Sequence, residues 1–482
     1  MKYTTQILNE LEQERIHKQS LRILEEVGIR FHGEKALDIL ARHGAIVDRN
    51  TKIVKIPSHL VEQALKTAPK SFVLGGRNPQ YDLAMPSPIS YYCMDGTAAF
   101  ALDFESGERR YGTCQDIRNA MRIFQQLDLG RMAWAPTTAS DAPAQSRALY
   151  EFFEMVRYCS KHGQHELHTT RQVPYLVEGL LAILGSEEEI KRRHPFSLIY
   201  CPVAPLTHDG EMLDAYLELG QLDLPVMIMP MPVPGSTGPA SLLGTLCLAN
   251  AETLSSIVIF QLAQPGRPLI YSSAMGTLDF ATGGYLGGTT EMGLQSAALT
   301  AMGRFYNLPC SCAGCTSDAM ETGAQAVMEK LITSLPPAMA GADIIVGYGE
   351  IQSDQLLVLE QMIVDNEIAH YCKRLVEGID GSEEKVLFDE IAQVGPGGHF
   401  LKARATRQAP RSGEFYASKL MDRTSYETWL NLGKPSMYSR AREQVRAILA
   451  APLVDPLPSD VNGKLDEILR KADEALGVSE NV

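Results

Sequence analysis

Aromatic and acidic residues stand at the ends of several short apolar runs in this sequence. The aromatic residues are Tyr92, Trp134 and Tyr348, and the acidic ones are Asp95 and Glu350. Aromatic faces attract cations, and carboxylates add negative potential. Together they suit a cation that has no hydrogen to donate, which is a quaternary ammonium ion. Packing in a barrel core is the alternative role for about half of such residues, because barrel strands point alternate side chains inward.

Eight apolar runs, each followed by a polar or glycine-rich break and a helical stretch, would position these residues. The runs cover residues 90–95, 131–137, 164–169, 196–205, 225–232, 268–275, 309–315 and 343–350. Strands that alternate with helices pair in parallel through right-handed crossovers. Eight such units close a barrel, so we predict an α/β fold of the (β/α)8 TIM-barrel class. The active site of such a barrel lies where its strands end, which makes the residues after each run the candidates.

The remaining sequence extends the barrel at both ends. Residues 1–88 predict a helical cap with a small β segment, and residues 89–380 contain the barrel. Residues 381–482 predict a C-terminal extension, ending in two helices, that folds back over the barrel. A bare barrel needs roughly 250 residues, and the chain has 482.

Two histidines and one glycine-rich segment are further candidates. His168 ends the third run, where it either orients a carboxylate or satisfies a backbone carbonyl. His399 lies in the glycine-rich turn GPGGHFL. The segment GGYLGG, residues 283–288, predicts a mobile lid over the barrel mouth, with Tyr285 as its one large side chain.

The sequence lacks a standard metal-binding signature. The nearest pattern is formed by Cys310, Cys312 and Cys315, and three thiolates can hold Zn²⁺ with an open fourth position. Small core residues in a barrel strand are the favoured interpretation, because no histidine of the usual ligand spacing is nearby. We therefore expect no metal bound by this chain.

Composition excludes some classes of function. The net charge is −14, which argues against nucleic-acid binding, since that depends on Lys and Arg neutralising phosphates. No apolar run approaches the roughly 20 residues that span a bilayer, and the N-terminus lacks the apolar stretch of a signal peptide. We expect a cytoplasmic protein that forms a homo-oligomer.

Longer motifs resemble one known family. They are listed here with their positions: RILEEVGIRFH (22–32), YYCMDGT (91–97), PGSTGPASLLGTLCLANAETL (234–254), QPGRPLIYSS (264–273), GLQSAALTAMGRFYNLP (293–309), ADIIVGYGEIQS (342–353), VDNEI (364–368), GPGGHFL (395–401) and DRTSYETW (422–429). On these the chain is similar to the trimethylamine methyltransferase (MttB) superfamily over about residues 5–450.

The resemblance implies a barrel that passes a methyl group from a methylated amine to the Co(I) of a separate corrinoid protein. Archaeal trimethylamine enzymes of this family carry pyrrolysine near the end of a late strand. The comparable residues here, 346–351, are all standard amino acids. Members without pyrrolysine resemble enzymes that demethylate quaternary amines such as glycine betaine, carnitine, γ-butyrobetaine or proline betaine.

We therefore expect a corrinoid-dependent methyltransferase acting on a quaternary amine, with glycine betaine as the first candidate. Tyr92, Trp134 and Tyr348 would form an aromatic box, Asp95 and Glu350 would supply negative potential, and Glu350 would also act with His399 in catalysis. His168 would meet the substrate carboxylate or the corrin edge. The alternatives are a barrel that binds a corrinoid or quaternary amine without turnover, and metal-dependent methyl transfer to a thiol at the Cys310 cluster.

Overall fold

Eight parallel strands form a closed barrel at the centre of the chain. A computed structural model describes residues 5–477. The barrel strands are β1 (Tyr91–Met94), β2 (Gly130–Trp134), β3 (His162–His165), β4 (Phe196–Tyr200), β5 (Val226–Ile228), β6 (Leu269–Tyr271), β7 (Ser311–Ala313) and β8 (Ile344–Tyr348). Strand β8 pairs with β1, and a parallel bridge between Tyr271 and Cys310 joins β6 to β7. The predicted (β/α)8 barrel is confirmed.

A helix follows each strand and covers the outside of the barrel. These helices are α1 (Cys114–Gln126), α2 (Arg147–Tyr158), α3 (Val173–Leu184), α4 (Gly210–Glu218), α5 (Leu242–Ala263), α6 (Thr290–Phe305), α7 (Ala324–Ala340) and α8 (Leu359–Glu377). Polar side chains fix several of their starts. Thr113 and Asp116 form a capping box on α1, and Asp209 caps α4 through the amide of Met212.

The N-terminal residues form a layer over α5. Its helices are Glu10–Arg22, Glu34–Arg42 and Ser58–Thr67, and its strands are Ile29–Phe31, Ile46–Asp48, Ile53–Lys55, Phe72–Leu74 and Leu83–Met85. The three helices all contact α5. Among residues 5–477, α5 is the one helix that is long and apolar enough to cross a membrane. Because the N-terminal layer covers it, 83% of its most apolar stretch is buried inside the protein. Its composition is that of a core helix.

The C-terminal residues return to the outer surface of the barrel helices. The helix Met437–Ala450 packs on α8 and α1, and the helix Ser459–Leu476 packs on α3 and α2. Three short helices, Phe388–Val394, Arg404–Gln408 and Tyr426–Asn431, precede them in an exposed stretch. Both terminal helices lie close to the predicted positions, and they contact the sides of the barrel.

Strand β3 begins two residues earlier than the sequence pattern predicted. It covers His162–His165, whereas the prediction was 164–169. His168 therefore lies outside the strand, in the exposed loop before α3. The early start follows from Lys161, whose buried ammonium group donates to the carbonyls of Phe124, Leu127 and Gly130 and so fixes the entry to the strand.

Short strands beyond the barrel build its mouth. A four-stranded sheet joins Glu350–Ile351, Leu356–Leu357, Phe100–Leu102 and Arg109–Tyr111 in that order. A hairpin of Thr277–Leu278 and Tyr285–Leu286 follows β6. These elements come after β1, β6 and β8, so they lie at the carboxyl ends of the strands, where the site was predicted.

A buried ion pair holds the carboxyl ends of β7 and β8 together. The Lys330 ammonium group donates to the carbonyls of Cys315 and Gly347, at 2.6 and 2.9 Å, and to Asp365 Oδ2 at 3.0 Å. Both side chains of the pair are fully buried. Asp365 Oδ2 also accepts from the amide of Gly349 at 2.8 Å, next to Glu350. The pair therefore sets the backbone from which Glu350 projects.

We predict that Lys330→Met destabilises the protein by about 3–5 kcal/mol, because it leaves the Asp365 carboxylate buried and unpaired. Urea denaturation followed by circular dichroism measures the change. The control is Lys471→Met, which removes an exposed ion-pairing lysine and should change stability by at most about 1 kcal/mol. Equal effects of the two substitutions would contradict the anchoring role of Lys330.

Candidate active site

Three carboxyl groups meet at the barrel mouth. Asp95 follows β1, Glu350 follows β8, and Asp354 lies in the turn after Glu350. Oxygen atoms of all three lie within 4.8 Å of one another. Glu350 is fully buried, and neither of its carboxylate oxygens has a hydrogen-bond partner of good geometry among the described residues. The cluster therefore has oxygen atoms available for a ligand.

A strained turn brings Asp354 into this cluster. Gln352, Ser353 and Asp354 have φ values of 58°, 52° and 63°, which is left-handed backbone that costs roughly 1 kcal/mol or more per non-glycine residue. The Ser353 amide donates to Ser317 and its hydroxyl to Asp318, which holds the turn in place. Strain held by neighbouring contacts is typical of functional sites.

Burial and mutual repulsion raise the pKa of each acid in the cluster. Burial raises the pKa of Glu350 well above its ordinary value, and the charges of Asp95 and Asp354 raise it further. Burial and Asp95 likewise raise the pKa of Asp354. Burial also raises the pKa of Asp95, although a hydrogen bond with Asp354 opposes this shift.

That hydrogen bond needs a proton shared between Asp95 and Asp354. The positive charge of Lys330 lowers all three pKa values, but only in part, because Lys330 is already paired with Asp365. The cluster without a ligand therefore binds protons more readily than isolated carboxyl groups do. A bound cation would oppose this, since it stabilises the ionised carboxylates.

Trp134 lies beside the cluster. Gly96 follows Asp95 directly, and any side chain at Gly96 would clash with the Trp134 indole, so the backbone packs flat on that ring. Trp134 is 7% exposed, and its Nε1 has no hydrogen-bond partner among the described residues. An aromatic face next to a carboxylate is the combination that the sequence predicted for this position.

Tyr285 reaches the same site from the hairpin after β6. Its ring packs against Gly276, where a side chain would clash with it, and 36% of the residue is exposed. Burial raises the pKa of the Tyr285 hydroxyl well above its ordinary value, as do the charges of Asp354, Asp95 and Asp318. The Tyr285 hydroxyl is therefore close enough to these acids to interact electrostatically with them.

The hairpin is anchored at its C-terminal end. The amides of Gly287 and Gly288 donate to the two oxygens of Asp318, at 2.7 and 2.8 Å. The Thr316 hydroxyl donates to the carbonyl of Gly287 at 2.6 Å. Motion at these two glycines is therefore opposed by hydrogen bonds.

Tyr92 and Tyr348 do not belong to the site, and their predicted part in an aromatic box is wrong. Their rings stack on each other with centroids 4.9 Å apart. Tyr92 lies near Cys372 of α8, and Tyr348 makes an edge contact with Phe124 of α1. The pair therefore fills the layer between strands and helices. The reason is strand alternation, with a register shift between Val346 and Tyr348.

The two candidate histidines lie away from the carboxyl cluster. His168 is exposed, and its backbone amide donates to Gln172 Oε1 at 3.0 Å. His399 is exposed in the turn after the helix Phe388–Val394. Among residues 5–477 no hydrogen bond joins either imidazole to Asp95, Glu350 or Asp354. Their proposed roles stay predictions.

Sequence reasoning missed three polar residues near the mouth. Asp354 is in the cluster itself, but its turn contains no glycine or proline that would mark it. Gln164 on β3 is buried with both amide atoms unpartnered among the described residues. Glu166 follows two positions later, just after the end of β3. Burial raises the pKa of the nearby Cys201 thiol to about 12, and the charge of Glu166 contributes to this shift. The two-residue alternation within the motif QHELHT was the available signal.

The cysteines pack in the core and do not converge. Cys310 contacts Gly303 of α6, Cys312 lies near Thr300, and Cys315 faces Lys330 and Asp365. Burial raises the pKa of Cys312 to about 12. Within residues 5–477 the side chains placed to hold a metal ion are Asp95, Glu350 and Asp354, not the thiols.

An apolar rim surrounds the mouth. Its exposed side chains come from four different loops and from the start of α5, and they are Val203, Met231, Leu242, Phe280 and Met320. A cavity of about 550 Å³ lies between the hairpin and the loop before α5. Exposed apolar residues clustered around a site mark a surface for a binding partner.

Comparisons with known proteins agree with this architecture. A profile of the family described as "Trimethylamine methyltransferase (MTTB)" matches residues 2–477. The chain is 33% identical to trimethylamine methyltransferase MttB of Methanosarcina thermophila, over 92% of this chain and 93% of that protein. It is 31% identical to a glycine betaine methyltransferase of Desulfitobacterium hafniense, over 98% of each.

A solved structure shares the fold. The monomethylamine methyltransferase of Methanosarcina barkeri superposes with a TM-score of 0.51 at 11% identity, covering 99% of this chain and 89% of that one. Together, the profile match over nearly the whole chain and the relatives above 30% identity establish the relationship. The chain belongs to the trimethylamine methyltransferase (MTTB) family.

Proposed function

We propose that this chain moves a methyl group from a quaternary amine to the Co(I) of a separate corrinoid protein. The observation that carries the proposal is the cluster of Asp95, Glu350 and Asp354 beside the Trp134 indole. Three clustered acids and an aromatic face stabilise a cation, and a tetraalkylammonium ion is a cation that needs no hydrogen-bond acceptor. Membership in a methyltransferase family supports the assignment of a methyl group as the group that is transferred.

The leaving group favours a quaternary amine over trimethylamine. A quaternary nitrogen already carries positive charge and departs as a neutral tertiary amine, so no acid has to protonate it. The resemblance to family members without pyrrolysine supports the same choice, because residues 346–351 are all standard amino acids. The similarity to a glycine betaine methyltransferase makes glycine betaine the first candidate. Carnitine, γ-butyrobetaine and proline betaine follow.

One observation favours a second class of substrate. Lys330 is the positive side chain that acts on all three acids, and it is paired with Asp365. A betaine has a carboxylate as well as an ammonium group, and that carboxylate would lie in the negative potential of the cluster. A quaternary amine without a carboxylate, such as choline, avoids this repulsion.

The residues of this chain would act mainly by position. Asp95, Glu350 and Asp354 hold the ammonium group, Trp134 lies against its methyl groups, and Tyr285 covers the mouth and excludes water. Fixing one methyl group in the direction of attack removes much of the entropic part of the barrier. The corrinoid supplies a nucleophilic Co(I) that accepts the methyl group. The apolar rim fits the approach of the protein that carries it.

We predict that glycine betaine or another quaternary amine is demethylated and trimethylamine is not. Each amine is incubated with the protein and Co(I)-cobalamin, and the visible spectrum follows the loss of Co(I). Comparable rates with trimethylamine and glycine betaine would contradict the proposal. Loss of Co(I) with choline but with no betaine would select the second class. Binding of a quaternary amine without any turnover would indicate a binding protein.

We predict that Glu350→Gln stabilises the folded protein while it raises the KM for a quaternary amine at least tenfold. The raised pKa means that the folded state binds more protons than the unfolded state, so stability falls as pH rises above about 4.5. Removing the acid should recover at least about 1 kcal/mol at neutral pH, the value of one pKa unit. Differential scanning calorimetry between pH 5 and 8 measures it.

The matched control is Glu252→Gln on α5. Glu252 is also fully buried, and burial raises its pKa to about 7, but it accepts from the amide of Leu206 in the loop after β4 and is not part of the carboxyl cluster. The Glu252→Gln variant should be more stable than the wild type at neutral pH and should have an unchanged KM for the amine. Stoichiometric divalent metal in the wild-type protein that is lost in Glu350→Gln would assign the cluster to a metal instead.

We predict opposite effects for two aromatic substitutions. Trp134→Leu should raise the KM of the folded protein by roughly thirtyfold, since a desolvated cation–π contact contributes about 2 kcal/mol. Tyr348→Leu should lower stability and leave the KM of the folded protein unchanged, because Tyr348 packs against Tyr92. Steady-state kinetics and urea denaturation separate these outcomes. Unchanged kinetics in a folded Trp134 variant would place that residue in the core.

A further inference from the structure

One stretch of the chain exposes far more apolar surface than the rest. Residues 380–432, named here the arm, contain one buried residue, Leu420. Ten large apolar side chains of the arm are 42–77% exposed; they are Val386, Leu387, Phe388, Ile391, Phe400, Leu401, Phe415, Tyr426, Leu430 and Leu432. Single exposed apolar residues are ordinary on a protein surface, whereas a large number of them in one segment indicates an interface.

Part of this surface is concave. A cavity of about 570 Å³ is lined by Val386, Leu387, Ile391, Phe400 and Phe415, together with polar residues of the arm. A whole aromatic side chain has an area of about 150–250 Å². Ten large apolar side chains that are each about half exposed therefore present on the order of 1,000 Å² of apolar surface. A standard interface buries roughly 800 Å² on each partner. The arm therefore offers enough apolar area for a stable complex.

The charges of the arm are divided into two halves of opposite sign. Residues 380–400 hold five Asp and Glu against one Lys, a net charge of −4. Residues 401–423 hold six Lys and Arg against two Asp and Glu, a net charge of +4. Within residues 5–477 the ion pairs of the arm are Lys385 with Glu414 and Arg440 with Asp422, so most of these charges have no ion-pair partner.

We propose that the arm binds the arm of a second copy of this chain across a two-fold axis. In a two-fold interface the same patch lies on both subunits, so each acidic half meets the basic half of the other copy. Equal and opposite net charges on neighbouring halves of one segment satisfy that requirement. Phe388 and Leu401, the most exposed large apolar side chains of the acidic and basic halves, would fill the apolar groove of the other copy.

The test is an exchange of charges. One variant carries Glu383→Lys, Glu384→Lys and Asp389→Lys, which makes both halves positive. The other carries Arg404→Glu, Arg407→Glu and Arg411→Glu, which makes both negative. Analytical ultracentrifugation should show wild type at an even multiple of the 52.9 kDa chain mass and each variant at half the wild-type mass. An equimolar mixture should recover the wild-type mass, with affinity at least a hundredfold above that of either variant alone.

The mixture separates loss of the interface from misfolding of a variant. A misfolded variant would not recover the wild-type mass when it is mixed with the other variant. A control variant, Asp460→Lys with Lys464→Glu, changes an exposed pair on the terminal helix and should keep the wild-type mass. Monomeric wild type at micromolar concentration would overturn the proposal. So would variants of unchanged mass, a mixture that stays dissociated, or a wild type that associates only with the corrinoid protein.

Discussion

Three carboxyl groups whose oxygen atoms lie within 4.8 Å of one another, one of them fully buried, repel each other when ionised, and a bound cation relieves that repulsion. This electrostatic constraint gives the barrel mouth its chemical character. Burial raises the pKa of both Asp95 and Asp354, and Glu350 has no partner for either oxygen among the described residues. We propose that the site binds a cation in exchange for protons and that the adjoining Trp134 favours a methylated ammonium ion.

The rest of the structure supplies the positions that this constraint needs. The Lys330–Asp365 pair ties the ends of β7 and β8 and holds the amide of Gly349, so the direction of Glu350 depends on an interaction in the wall of the barrel. Asp354 depends on three consecutive left-handed residues held by Ser317 and Asp318. Asp318 also anchors the hairpin that carries Tyr285. The hairpin and the strained turn therefore share one carboxylate, so movement of one would disturb the hydrogen bonds of the other.

The barrel was predictable from sequence because its eight apolar runs alternate with helices, a pattern that local residue type alone determines. The residues that make up the site were harder to predict from sequence than the barrel. Asp95, Glu350 and Trp134 lie at strand ends, and the structure brings them together. Tyr92 and Tyr348 were misplaced because the register of β8 shifts at Val346, which moves Tyr348 to the outer face. Asp354 left no signal, since its turn is stabilised by tertiary contacts rather than by glycine. The predicted roles of His168 and His399 have no contact in the described residues to support them.

The exchange of protons for a cation is the most direct test of this account. Isothermal titration calorimetry of tetramethylammonium, which has no titratable group, in two buffers of different ionisation enthalpy measures the protons released on binding. The account predicts net proton release at pH 7 that decreases in Glu350→Gln. Binding without proton release, or release that is the same in wild type and Glu350→Gln, would contradict it.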